Sequence, residues 1–345
     1  MKLNDKFFLI ENKQSRNRIV LAPMDSQVAI DGFVNDIHIQ HYGARAYGGV
    51  GTIIVEGSAV TSEGRYREKS LGIWKDEHIE GLKRLVNIAH SGGSVIGIQL
   101  FHGGAKSQLK EQTKSINNYF DFLNQRNLKI LDLKEFYEIC DEFVKAANRA
   151  KQAGFDFVEV HIGDGVLLSN LLIEELNTII TSKDIEKRIE PIVYILKSIK
   201  ENIDIRVGVR ISVNDENPDG IKVTDYKQII SLIEPYISYL HVSGGDILSK
   251  RKSTIGAENK VKLHRLNYSA QLIDYTKLPI ITCGNYDSKD EVKQALEKSI
   301  SAVAIGRALI ANANFVMTNL LEPNEIDESY HWNNNPWYKH QDFYK

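Results

Sequence analysis

The chain has 345 residues, is 42% hydrophobic and 26% charged, and carries a formal net charge of −2 at pH 7. This composition is ordinary for a soluble globular protein. It gives no basic field for nucleic acid or an anionic membrane, and no apolar run approaches the roughly 20 residues a membrane helix needs. The N-terminal MKLNDKFFLI is interrupted by charge too soon to serve as a signal peptide. The only cysteines, Cys140 and Cys283, are far apart in sequence, do not make a disulfide framework, and point to a reducing cytoplasm.

Strand-like runs alternate with helix-like runs along almost the whole chain. The strands are expected at 18–24 (RIVLAPM), 51–57 (GTIIVEG), 94–102 (SVIGIQLFH), 155–161 (FDFVEVH), 205–211 (IRVGVRI), 239–244 (YLHVSG), 279–284 (PIITCG) and 302–307 (AVAIGR). They are nearly continuous in Val and Ile, the pattern of parallel strands covered on both faces. Between them, 76–90 places Ile79, Leu82, Leu85, Val86 and Ala89 at helical spacing before Gly92 and Gly93. Segment 135–153 behaves likewise and stops before Gly154. Helices at 186–200, 224–236, 267–276 and 288–298 complete the rhythm. Eight βα units predict an α/β fold of (β/α)8 TIM-barrel type, which accommodates this length in one domain. We expect the barrel over 1–320, a long loop or small subdomain at 103–134, and a C-terminal tail at 321–345 packing on the barrel or on a neighbouring subunit.

Such barrels gather their chemistry at the C-terminal ends of the strands. Those ends carry Pro23 and Met24, Gly57, Gln99 with His102, His161, Arg210, Gly244 and Gly245, Gly284, and Gly306 with Arg307. Glycine after the seventh and eighth strands lets backbone approach an anion, and Arg307 at a helix start adds a fixed charge, so a phosphate is expected there. His38 and His41 are spaced for one helix face, but no further ligand set accompanies them and no metal site is expected. A phosphate-binding isomerase or aldolase barrel finds no support, since no strand-end lysine stands ready as a Schiff-base nucleophile.

Several segments, in order, carry a resemblance: NRIVLAPM (17–24), HYGARAYGGVGTIIVEG (41–57), Gly64-Arg65, LGIWKDEHIEG (71–81), GIQLFH (97–102), AANRAKQAGFDFVEVH (146–161), VRIS (209–212), HVSGG (241–245) and AIGRAL (304–309). Together they resemble the old yellow enzyme family of FMN-dependent NAD(P)H oxidoreductases, nearest its shorter bacterial ene-reductase branch. The resemblance implies bound FMN, NADH or NADPH as reductant, a small-molecule acceptor and a homo-oligomer. It places Pro23, Met24 and Gly57 at the edge of the flavin site. It sets Gln99 on the pyrimidine ring, where an amide offers donor and acceptor together. Arg210 is placed beside flavin N1, where a permanent cation stabilises reduced flavin. Gly244, Gly245, Gly284, Gly306 and Arg307 form the phosphate end. For Gln99 and Arg210 the competing reading is a buried polar layer inside the barrel.

His161 is similar to the first member of the family's substrate-anchoring pair, donating to an acceptor oxygen. The next positions depart from the family. The second donor is replaced by Asp164, the tyrosine proton donor by Val166, and the residue that tunes the flavin by Asp25; 177–188 reads NTIITSKDIEKR instead of the family's signature. The cofactor frame is kept and the substrate side altered. That combination implies a flavin oxidoreductase working by a ping-pong cycle on an electron-poor acceptor other than a simple enone, with Asp164 receiving a cationic or hydrogen-bond-donating substrate or, if kept neutral, acting as an acid. The alternative is a flavin-binding protein with weak or lost activity.

Overall fold

A computed structural model describes residues 1–117, 128–213, 221–244, 261–326 and 330. Eight parallel strands close into a barrel: β1 (Ile19–Leu21), β2 (Thr52–Ala59), β3 (Val95–Phe101), β4 (Phe157–His161), β5 (Arg206–Ser212), β6 (Tyr239–Ser243), β7 (Ile280–Cys283) and β8 (Ala302–Ile305). Each pairs with its successor, and β8 returns to β1 through Val303 opposite Ile19, Ala304 opposite Val20 and Ile305 opposite Leu21. This is the expected (β/α)8 architecture. β2 runs two residues beyond its expected end, with a shift of register between Val55 and Ser58 that re-aims the residues between them.

The helices cover the outer wall. Helix Ile79–Ser91 buries Leu82, Leu85, Val86 and Ala89, the stripe its spacing predicts. Helix Leu133–Ala153 begins at a capping box between Asp132 and Glu135 and ends at Gly154, whose φ of 92° only glycine adopts without strain. Cys140 is buried on this helix, and burial pushes its thiol up. Helix Glu190–Asn202 opens with Pro191 where a missing N–H costs nothing. Helices Tyr226–Ile233, Leu266–Gln271, Lys289–Glu297 and Arg307–Ala311 follow their strands.

Inside the barrel, alternate residues form layers. The lower layer is apolar: Val20, Ile54, Phe157, Tyr239, Ile281 and Ala302 pack together. An N-terminal hairpin, Phe7–Ile10 with Lys13–Ser15, closes the bottom by laying Phe7, Leu9 and Ile10 on that layer. The sequence does not announce this hairpin; two strands this short leave no periodic pattern.

Two interior glycines make room for rings. A Cβ on Gly97 would lie 2.1–2.4 Å from the Phe157 ring, and one on Gly208 would lie 2.1 Å from the Tyr239 ring. Neither backbone is left-handed, so the constraint is volume. Gly97→Ala is expected to cost about 1–3 kcal/mol by overpacking; an unchanged denaturation midpoint would show that the layer yields.

The excursion after β3 contains two short parallel strands, Thr113–Ser115 and Leu128–Ile130, and residues 118–127 lie outside those described. Asn117 Nδ2 donates to the carbonyl of Leu176 at 3.1 Å and Thr178 Oγ1 to that of Ile116, tying the excursion to the segment that follows β4. Of the aromatic tail, Tyr330 is buried against the barrel: its hydroxyl accepts from Asn17 Nδ2 at 3.0 Å, and the Arg16 guanidinium lies 4.8 Å from its ring centre. Trp332, Trp337, Tyr338, Phe343 and Tyr344 lie outside the described residues.

Candidate active site

Above the apolar layer the barrel turns polar. Gln99 on β3, Glu159 on β4 and His241 on β6 are buried, and Glu159 sits at their centre. Its Oε1 accepts from Gln99 Nε2 at 2.7 Å; its Oε2 accepts from the Tyr239 hydroxyl at 3.0 Å and lies 3.0 Å from His241 Nδ1. Burial alone would neutralise this carboxyl, but the His241 and Arg210 charges and these donors hold it below its usual value. Burial likewise opposes charge on His241, and Glu159 prevails, raising it. The two form an ion pair sealed in the barrel. Gln99 thus commits its Nε2 to Glu159, while its Oε1 stands 3.3 Å from where a Cβ on Gly57 would be.

The next layer up holds the residues expected to do chemistry. Arg210 Nε lies 3.3 Å from Asp164 Oδ2, and Arg210 Nη2 donates to Ser243 Oγ at 3.0 Å. Its Nη1 is buried with no hydrogen-bond partner among the described residues. Asp164 Oδ1 accepts from Ser212 Oγ at 3.2 Å and from Ser243 Oγ at 2.8 Å, and Oδ2 lies 3.4 Å from His161 Nε2. The Asp164 backbone is left-handed, with φ of 53°; its amide donates to Ser212 Oγ at 2.6 Å and its carbonyl accepts from Lys106 Nζ. Burial would raise its carboxyl, but Arg210, His161, Arg265 and Lys106 together hold it well below the usual carboxylate range. Asp164 is therefore an anion at neutral pH, and a role as a neutral acid does not fit.

His161 is buried, which pulls its imidazole down to about 4 despite Asp164. It is neutral at pH 7. The amide of Gly163 points at Nδ1 from 3.4 Å, so Nδ1 is the acceptor nitrogen and Nε2 carries the proton. Val166 is buried with Ala59 and Phe101 and contributes shape only.

At the mouth, Pro23, Met24 and Asp25 follow β1. Asp25 Oδ2 accepts from Gln27 Nε2 and from Ser70 Oγ at 3.3 Å. Partial burial raises its carboxyl, although the residue as a whole is exposed. Beneath it lies Glu56, fully buried, accepting from Ser26 N at 2.8 Å, Ser26 Oγ at 3.0 Å and the Tyr42 hydroxyl at 3.1 Å. Burial lifts Glu56 to about 7. His38 is buried here as well, 3.8 Å from Glu56 Oε1, and its Nδ1 accepts from the amide of Asn35 at 3.1 Å in a helix cap. Among the described residues no group of three or more His, Cys, Asp or Glu is arranged for a metal.

The other end is a glycine cradle. A Cβ on Gly306 would stand 2.8 Å from Met24 Sδ, one on Gly244 would stand 2.9 Å from Arg265 Nε, and Gly284 has φ of 147°. Arg265 Nη1 lies 3.3 Å from Cys283 Sγ and Nη2 donates to the Gly244 carbonyl at 3.3 Å. Burial raises the Cys283 thiol, but Arg265, His241 and Arg210 outweigh it and bring it to about 6. After burial itself, the charges of Arg265 and Arg307 depress His264, so three basic side chains gather at this end. Gly245 lies outside the described residues.

These features fit a flavin mononucleotide. Arg210 Nη1 is buried with no partner among the described residues, a donor suited to a ring edge, and glycines with basic side chains nearby suit a phosphate. The model for the NADH:flavin oxidoreductase / NADH oxidase family matches residues 7–320. The chain belongs to this family. Among curated proteins it is 32% identical over 318 residues to the NADPH dehydrogenase of Bacillus cytotoxicus (strain DSM 22905 / CIP 110041 / 391-98 / NVH 391-98), covering 90% of each chain. Among solved structures, morphinone reductase superposes with a TM-score of 0.75 at 24% identity, over 94% of this chain and 92% of that one. A 2-naphthoyl-CoA reductase in complex with 2-naphthoyl-CoA superposes at 0.83 with 21% identity, over 91% of this chain, which spans about half the length of that protein. Both structural likenesses bear on the fold.

This member of the NADH:flavin oxidoreductase family is an FMN-dependent NAD(P)H oxidoreductase. No helix among its described residues is long and apolar enough to cross a membrane. The structure brings Gln99, Arg210, His161 and Asp164 together through Glu159 and their ion pairs; Gly244 and Gly284 both lie against Arg265, and Gly306 lies against Met24. Sequence reading missed Glu159, His241, Ser212, Ser243, Lys106 and Arg265 as partners. A period-two signal was present: Glu159 lies two residues before His161 and Ser212 two after Arg210, on the same inward faces.

Proposed function

We propose that this enzyme reduces an electron-poor acceptor, an activated alkene or quinone, that also carries a cationic or hydrogen-bond-donating group. The supporting observation is the ionised Asp164 carboxylate 3.4 Å from the His161 Nε2 donor. FMN, when bound, would supply the hydride chemistry between NAD(P)H and the acceptor, in a ping-pong cycle. Gln99 and Arg210 hold the ring end, and Gly244, Gly284, Gly306 and Arg307, with Gly245 by resemblance, hold the phosphate. Pro23, Met24, Asp25 and Gly57 border the ring.

On the acceptor side, His161 Nε2–H donates to the acceptor oxygen and polarises the conjugated bond. Asp164 cannot be a second donor to that oxygen, because a carboxylate only accepts. It receives an N–H or O–H of the substrate instead and repels an unaccompanied enolate. Val166 transfers no proton, so the proton that completes the product comes from solvent or from the substrate's own donor. Both cysteines are free thiols, which suits a reducing cytoplasm, and the family likeness supports a homo-oligomer.

The test is a set of acceptors matched in potential, assayed anaerobically with NADH and with NADPH. Acceptors with an ammonium or amide N–H beside the carbonyl should exceed plain cyclic enones at least tenfold in kcat/KM; equal values would reject the reading. Replacing His161 by alanine is expected to lower kcat/KM for the acceptor by about 10²–10³, the cost of one donor to a developing oxyanion. Because His161 titrates near 4, the wild-type acceptor step should show no inflection near pH 6.5. An inflection there that His161→Ala abolished would mean that the imidazole is charged in the complex.

A further inference from the structure

We propose that Asp164 is the fixed counter-ion of Arg210 and lowers the reduction potential of the bound flavin, making the reduced enzyme a stronger hydride donor. The inference rests on the placement of Arg210 at the flavin ring and deepens the reading of the altered substrate side.

Four of the charges in the polar layers form two contacting pairs. His241 is matched by Glu159 at 3.0 Å, and Arg210 is matched by Asp164 at 3.3 Å. With His or Asn at position 164 the same residues would sum to one positive charge; with an ionised aspartate they sum to zero. Reducing the flavin places negative charge against Arg210, and a cation whose charge is already answered stabilises it less. Arg210 Nη2 is engaged by Ser243 and Nε faces Asp164 as an ion pair without a hydrogen bond, while Nη1 has no partner among the described residues and is available to the ring.

Asp164 is also held in place. Its left-handed backbone, its amide on Ser212, its carbonyl on Lys106 and two serine hydroxyls on Oδ1 fix the carboxylate where Arg210 meets it. Gly165 follows with φ of 73°, so two successive left-handed residues form the turn that presents it. A side chain meant only to contact substrate would not require tethers to β5 and β6 on the side away from the solvent.

The experiment equilibrates FMN-loaded wild type, Asp164→Asn, Asp164→Ala and Asp164→Glu with a reference dye during slow anaerobic reduction. Both neutral variants should move the flavin's reduction equilibrium at least tenfold toward the reduced form, about 30 mV for a two-electron couple. The glutamate variant keeps the charge and should stay within about threefold of wild type, the scatter expected of a displaced carboxylate. Unchanged equilibria in Asp164→Asn and Asp164→Ala, with FMN bound and melting unaltered, would overturn the proposal. So would a shift in the asparagine variant alone, which would trace the effect to hydrogen bonding. Should Asp164→Ala fail to fold, the contrast between asparagine and glutamate decides. A failure of the underlying placement has a different signature: Arg210→Met would leave FMN affinity unchanged.

Discussion

Replacing Glu159 by leucine is expected to cost about 3–5 kcal/mol of folding stability. The side chain is fully buried and accepts from Gln99, Tyr239 and His241. Leucine would strand these donors where no water replaces the lost acceptor, and each stranded donor costs about 1–3 kcal/mol. His241 can shed its proton, which limits the loss; Tyr239 and Gln99 have no such escape. Glutamine at 159 retains an acceptor oxygen and should cost about half as much. Guanidinium unfolding of the two variants distinguishes these outcomes, and equal midpoints for Glu159→Leu and wild type would remove Glu159 from the stabilising set.

The same pair predicts a pH window. The Glu159 carboxyl is depressed in the folded protein, so its contribution is present above the unfolded value of 4.5 and is lost as pH falls through the depressed folded value. His241 is raised, so its contribution is full below 6.5 and is lost as pH rises through the raised folded value. Both act together between about 4.5 and 6.5. The stability difference between wild type and Glu159→Gln should peak in that interval; a difference that keeps growing to pH 9 would contradict the ion pair.

Arg210→Met should weaken FMN binding by about 10- to 100-fold, as expected for losing a charge-assisted hydrogen bond worth about 1.5–3 kcal/mol. The guanidinium also faces Asp164 directly and acts on Glu159 through its charge, so methionine leaves the floor with excess negative charge against the flavin. Lysine at 210 restores the charge without the planar fork and should recover only part of the affinity. Quenching of FMN fluorescence measures both variants, and a dissociation constant unchanged by Arg210→Met would move the arginine away from the ring.

Much of the frame is legible in the sequence because a parallel strand buried on both faces leaves few choices of residue. Val158 and Val160 face the helices while Phe157, Glu159 and His161 face inward, and a run such as FVEVH announces both the strand and its polar end. Gly244, Gly284 and Gly306 are legible because each directly follows an apolar strand run. Partnership is not legible. Asp164 meets Ser212 and Ser243, which lie 48 and 79 residues away, and nothing local records which strand end will face which. The carboxylate's charge state depends on those contacts, so sequence leaves open whether it is an acid or an anion. The buried pair escapes notice for a related reason: Glu159 belongs to one strand motif and His241 to another, and only the pairing of both strands with β5 brings them within reach of each other.

Closure itself has a consequence for how the protein is made. β1 pairs with β8, whose first residue is Ala302, so the ring cannot shut on the ribosome until all eight strands have been translated. Through that interval one margin of β1 has no neighbour. The exposed ladder is only three residues long, Ile19–Leu21, and the hairpin Phe7–Ile10 with Lys13–Ser15, translated before it, lies directly against its base. A nascent edge that brief and partly covered offers little template for pairing with another unfinished chain.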